Sequence, residues 1–174
     1  MSSNGPWKER ESWSDLGDGG PSTISRGSSR GAETPSRRSG RRRGERLFLA
    51  DSSYFVALAD RKDRWHEDAV RVRKEAGEAY LVHDLVMAEA VTIVGARSGG
   101  KAALTLYEYF VDACEIAFVD RALFEEAMAL HLRYDGSLSV ADCASVAVMA
   151  RRRIRTIVSF DRDFDKVRGI RRIR

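Results

Sequence analysis

From Leu47 onward the chain alternates short apolar runs of strand length with longer segments of helical periodicity, and this alternation limits the fold more than any other feature. Strands separated by helices do not pair as tight hairpins. They pair in parallel through helical crossovers, which bury the sheet between helical layers. The pattern predicts strands over 47–50, 115–119 and 155–159, an extended piece over 80–82, and a closing segment GIRRI. It predicts helices over 53–58, 64–76, 85–97, 102–112, 121–133 and 140–152, with Asp84 as a cap, SGG as a break and YDGS as a turn. The expected fold is α/β, a three-layer α/β/α sandwich around a mainly parallel sheet of four to five strands. No internal repeat or second domain is visible.

At 174 residues and 43% hydrophobic, the chain can bury one sizeable core, expected over residues 47–174. The net charge of +4 is unevenly placed: residues 1–46 hold ten Lys or Arg against six acids, leaving twenty of each sign in the remainder. The first segment is rich in Ser, Gly and Arg and ends in RRSGRRRGER, so it cannot bury enough apolar surface to offset its ordering entropy. It is expected to be a disordered basic tail, either solvated, or created by a start site assigned too early, or touching phosphates nonspecifically. The tail lacks the apolar core of a secretory signal, and Glu89 and Asp142 interrupt the most apolar later stretches. Cys114 and Cys143 lack metal-ligand spacing and fit buried free thiols in a reducing cytoplasm.

The chemistry is carried by carboxylates. Asp51 ends the first strand in RLFLADSSYFVALAD and Asp161 ends the last long one in TIVSFDRDF; ligands of parallel sheets collect at such strand ends. Glu89 is the one charge between Leu85 and Ala96. A helix so apolar is expected to be buried, which puts Glu89 in a polar recess or at considerable desolvation cost. Asp142 is the single acid in SLSVADCASVAVMARRR.

Each acid also has a plainer explanation. Asp51 and Asp161 suit caps of the segments that follow them, Asp142 suits the third helical position after a Ser139 cap, and Glu89 suits a buried ion pair. Taken together, four acids in one pocket would need protons or a cation. Hard oxygen ligands without His or Cys favour Mg²⁺ or Mn²⁺ over zinc, and such an ion suits phosphodiester hydrolysis. A calcium loop through Asp161, Asp163 and Asp165 fails, because Lys166 stands where that loop needs glycine.

Four stretches, FLADSSYFVALAD, LVMAEAVTIVGARSGGKAAL, LSVADCASVAVM and TIVSFDRDF, occur in an order and spacing that resembles the PIN domain family. Within it the chain is most similar to toxins of the VapC type from toxin-antitoxin modules. The resemblance implies a metal-dependent endoribonuclease whose Asp51, Asp142 and Asp161 are direct or water-mediated ligands of Mg²⁺ or Mn²⁺. Glu89 would hold a second ion or orient the attacking water. Ser52 and Ser159 would support the ligands, and Asp163 would be auxiliary.

It also implies an RNA substrate, a homodimer and a cognate antitoxin. The helices between residues 64 and 110, with Trp65, Tyr107 and Phe110, are where antitoxin contacts are expected, although core packing explains those aromatics as well. Phosphate attraction would come from arginines 151–155 or from the tail, unless those arginines simply serve the helix C-terminus.

Other readings remain beside this one. A noncatalytic RNA- or partner-binding module would keep the fold, but has little use for carboxylates that repel phosphate. An RNA-processing or DNA nuclease outside a toxin-antitoxin pair fits the same acids. A haloacid-dehalogenase-like phosphatase needs an acid where Ser53 stands. His66, His83 and His131 match no catalytic spacing and suit surface or capping roles.

Overall fold

The computed structural model describes residues 47–76 and 79–174; the basic segment 1–46 and the disorder expected of it lie outside them. The described chain runs β1 (Phe48–Ala50), α1 (Ser52–Ala59), α2 (His66–Ala76), β2 (Tyr80–His83), α3 (Asp84–Ser98) and α4 (Gly100–Ala113). It continues through β3 (Glu115–Ala117), α5 (Arg121–Arg133), α6 (Val140–Arg152), β4 (Thr156–Val158), a 3₁₀ turn (Arg162–Lys166) and β5 (Arg171–Ile173). All neighbouring strands pair in parallel, in the order β3-β2-β1-β4-β5. The closing GIRRI segment thus supplies an edge strand.

Alternation along the strands sends side chains to two helical layers. Leu49, Leu81 and Ile157 pack with Leu123 of α5, Ala147, Val148 and Met149 of α6, and Phe164 of the 3₁₀ turn. On the opposite face Tyr80 meets Tyr54 and Phe55 of α1, and Phe55 packs edge-on against Phe110 of α4. The hydroxyls of Tyr54 and Tyr80 lie 2.8 Å apart, so their burial leaves neither unpaired. This is the expected three-layer arrangement.

Strand order places the functional end of the sheet. From the central β1 the chain builds outward to β2 and β3, then returns to place β4 and β5 on the other side. The connections leaving β1 and β2 therefore diverge from that of β4, opening a crevice beyond the carboxyl ends of β1 and β4. Ala50 is level with Val158, so Asp51 and Ser159 enter that crevice side by side.

Two local expectations need correction. Asp84 is not the cap of α3; His83 is, accepting from the Val86 N–H at 3.4 Å through Nδ1. Asp84 is the first helical residue, and its Oδ1 accepts from Leu85 and Val119, both at 3.1 Å, tying α3 to the chain beyond β3. Nor is α3 buried all round: only Val86, Ala90 and Val94 are, on one stripe. Its apolar composition exceeds what its neighbours cover, and Glu89 is exposed.

Among the described residues no helix is long and apolar enough to cross a membrane. Both cysteines are free and buried. Apolar stripes do remain open on α4, at Leu104, Tyr107 and Val111, and on α5, at Phe124, Met128 and Leu132.

His83 is fully buried, and burial pushes its imidazole down to about 4, so it is neutral at pH 7. Because Nδ1 accepts at the cap, Nε2 carries the proton and donates to Ser145 Oγ at 2.8 Å, joining β2 to α6. Replacing Ser145 by alanine strands that N–H, and chemical denaturation should show a loss of about 1–3 kcal/mol.

Candidate active site

Asp51 leaves β1 in extended conformation and caps α1. Its carboxylate is 4% exposed, and its two oxygens have different surroundings. Oδ2 accepts from Ser53 Oγ at 2.6 Å, Ser159 Oγ at 2.9 Å and the Ser53 N–H at 3.3 Å. Oδ1 has one long contact, from Ser52 Oγ at 3.4 Å. Ser53 was not singled out from the sequence, yet it makes the shortest of these bonds. The signal was present: a hydroxyl two residues after a capping aspartate sits where a short side-chain turn can close.

Asp142 stands at the opposite wall, in the first turn of α6. Its Oδ2 accepts from Ser139 N–H at 3.0 Å and Ser139 Oγ at 2.6 Å, and its own N–H donates to Ser139 Oγ, completing a capping box. Asp161 caps the 3₁₀ turn, its Oδ1 accepting from the Asp163 N–H at 2.8 Å. The plain capping explanations therefore hold for all three aspartates. Each nevertheless spends only one oxygen on local structure: no donor among the described residues reaches Asp142 Oδ1 or Asp161 Oδ2.

These side chains share a cleft of ≈ 1220 Å³ that is lined by Asp51, Ser52, Ser53, Glu89, Asp142 and Asp161. Glu89 reaches it from α3 as an exposed carboxylate, so that of the two expectations the polar recess holds and the desolvation cost does not arise. Ser159 lies behind Asp51, where its hydroxyl also accepts from the Asp161 N–H at 3.0 Å. Asp163 is directed elsewhere, paired with Lys166 at 2.7 Å.

Burial first, and then the charges of Asp51 and Asp161, push Asp142 up to about 6, against the opposing pull of Ser139. The three aspartates therefore feel one another across the cleft.

Lys62, Arg64, Arg97 and Arg162 also line the cleft. Arg97 is held by Asp63 at 2.9 Å and Asp60 at 3.5 Å. Among the described residues neither Arg162 nor the Lys62 ammonium closes a salt bridge, although the Arg162 charge acts on Asp165. The arginines expected to attract phosphate are placed differently: Arg151 and Arg152, at the far end of α6 from Asp142, pair with Glu126 and Glu115, each at 2.9 Å.

Among the described residues no three His, Cys, Asp or Glu side chains close tightly enough to hold an ion as they stand. The donor set nonetheless fits a hard divalent cation, since it is all oxygen, carries mutually repelling charge and keeps an uncommitted oxygen on each aspartate.

A family model described as the PIN domain matches residues 48–170. Ribonuclease VapC26 of Mycobacterium tuberculosis is 31% identical over 117 residues, covering 66% of this chain and 87% of that protein. The crystal structure of Mycobacterium tuberculosis VapC20, a sarcin-ricin loop cleaving toxin, superposes with a TM-score of 0.65 at 26% identity, covering 68% of this chain and 93% of that one. A chain of a toxin-antitoxin complex from Klebsiella pneumoniae superposes with a TM-score of 0.55 at 15% identity over 71% of this chain and 95% of that one, a likeness of fold.

The raised Asp142 pKa has a definite sign. An aspartate that ionises later in the folded than in the unfolded chain gives its full stability below its ordinary pKa, 3.8, and loses it as pH rises towards 6. Unfolding free energies of wild type and Asp142→Asn, measured from pH 4 to 8 without divalent ions, should shift in favour of Asn by about 1–3 kcal/mol and level off above pH 6.5.

Proposed function

Because the chain belongs to the PIN domain family, we propose that it is a metal-dependent endoribonuclease, the toxin of a toxin-antitoxin pair, hydrolysing phosphodiester bonds of structured RNA in the cytoplasm. The nuclease domain is residues 47–174, preceded by the basic segment 1–46. The observation that carries this reading is the oxygen that capping leaves over on each of Asp51, Asp142 and Asp161, held at Asp51 only by the long Ser52 contact, in a cleft at the switch point of the sheet. The ribonuclease and toxin activities of its relatives support the reaction class.

Asp51, Asp142 and Asp161 would hold Mg²⁺ or Mn²⁺ directly or through water, and that ion supplies an activated water and offsets charge gathering on the phosphate oxygens. Glu89, exposed at the cleft, accepts a proton from the attacking water or helps hold a second ion. Ser53, Ser52 and Ser159 fix the orientation of Asp51 by donating to its carboxylate. Lys62 and Arg162 hold phosphates beside the scissile bond, a role that the ion-paired Arg151 and Arg152 are not free to take. The attacking group is water, so no covalent enzyme intermediate forms. A noncatalytic binding module would gain nothing from three half-free aspartates facing a polyanion.

Partner surfaces follow from what the fold leaves open. Phe110 is fully buried and belongs to the core, so it makes no partner contact, whereas Tyr107 is exposed beside Leu104 and Val111. This α4 stripe is the proposed seat of the antitoxin, and the α5 stripe of Phe124, Met128 and Leu132 the proposed homodimer face.

Purified protein should cut RNA into discrete fragments with Mn²⁺ and leave it intact with EDTA. Asp51→Ala and Asp161→Ala should each lose more than the roughly 10–100-fold typical of a supporting residue, and Ser159→Ala should fall within that range. An Asp51→Ala protein as active as wild type overturns the assignment. In sedimentation, Leu132→Glu should shift the protein to monomer while Tyr107→Glu keeps the dimer.

A further inference from the structure

Trp65 stands at the mouth of the carboxylate cleft, immediately before α2. Its backbone is pinned, its N–H donating to Asp63 Oδ1 at 2.9 Å and its carbonyl accepting from the Ala69 N–H at 2.8 Å. Its indole lies parallel to the Phe160 ring, with centroids 5.2 Å apart and 5° between planes. Phe160 lies between Ser159 and Asp161, and its N–H donates at 3.0 Å to the same Ser53 hydroxyl that holds Asp51. The ring pair is thereby registered to the aspartates through one short chain of bonds.

Phe160 is buried and needs a cover, but the indole over it is only partly buried and lines the cleft. The group resting on the indole is Arg64, its guanidinium carbon 5.2 Å from the ring centroid. Asp60 and Asp63, which precede it, are taken by Arg97, and Asp68 by Arg71, so that Arg64 is exposed and closes no salt bridge among the described residues. An exposed cation on an aromatic face is held weakly. A nucleobase stacks on such a face more strongly, and recognition of unpaired RNA relies on stacking of this kind.

Resting on the nuclease reading above, we propose that Trp65, backed by Phe160, is a stacking platform for an unpaired base next to the scissile phosphate. Arg64 leaves the indole when the base arrives and turns to a neighbouring phosphate. The platform recognises a base of unpaired RNA, and Trp65 acts on substrate position and not on the hydrolytic step.

The test uses the full chain, whose three tryptophans are Trp7, Trp13 and Trp65. With Trp7→Phe and Trp13→Phe, and Asp142→Asn to prevent cleavage, Trp65 is the one indole reporter. Short single-stranded RNA should quench its fluorescence saturably, while an abasic ribose-phosphate strand of equal length binds without quenching. In cleavage-competent protein, Trp65→Ala should raise KM about tenfold or more, Trp65→Phe should restore most of it, and kcat should change less than about threefold.

RNA binding, followed by anisotropy of a labelled strand, without quenching overturns the platform, as does equal quenching by the abasic strand. If wild type fails to cut RNA with Mn²⁺ but base-dependent quenching holds, the platform stands and the nuclease reading falls. If it cuts RNA and no such quenching is seen, the platform alone falls.

Discussion

The hydrogen bonds that Ser53 and Ser159 donate to Asp51 Oδ2 fix how the two central strands meet at the end where the chain changes direction across the sheet. Bonds to a charged acceptor contribute about 1.5–3 kcal/mol each, and they offset the cost of withdrawing this carboxylate from water. Each hydroxyl also accepts a backbone N–H from beyond β4, Ser53 from Phe160 and Ser159 from Asp161. Asp51, Phe160 and Asp161 are thereby tied into one hydrogen-bonded wall of the cleft.

This coupling answers whether a carboxylate at a strand end is a cap or a working group. At Asp51, Asp142 and Asp161 one oxygen caps and the other is left over. Capping locks each side chain in place, and that placement concentrates like charge; burial first, and then the charges of Asp51 and Asp161, raise the pKa of Asp142. Caps at neighbouring element starts contribute stability while their mutual repulsion opposes it, so the arrangement favours occupation by positive charge.

Much of this was legible in the sequence, because the relevant signals are local. The bounds of α5 and α6 agree with their periodicity, since Asp120 and Ser139 cap them and nothing distant competes. The strand-end acids were legible for the same reason. What was hidden depends on which surfaces meet. Composition said α3 was apolar but could not say that its neighbours would cover one stripe only, so the choice between a polar recess and a desolvation cost for Glu89 stayed open. The bond of Ser53 to Asp51 had a local signal, but its tie to Phe160, 107 residues away, had none. The arginines of α6 could not be separated from those at the cleft until Glu126 and Glu115 were seen to claim them.

The same separation has a temporal meaning. The helical hairpins α3–α4 and α5–α6 join neighbours in sequence and can form early, whereas the bond between Ser159 and Asp51 closes a loop of 108 residues and must overcome a larger chain entropy. Three carboxylates drawn from such distant positions do not share a cleft until β4 has docked beside β1. A chain still emerging from the ribosome therefore carries the acids but not the cleft, which is complete only when synthesis has passed β4.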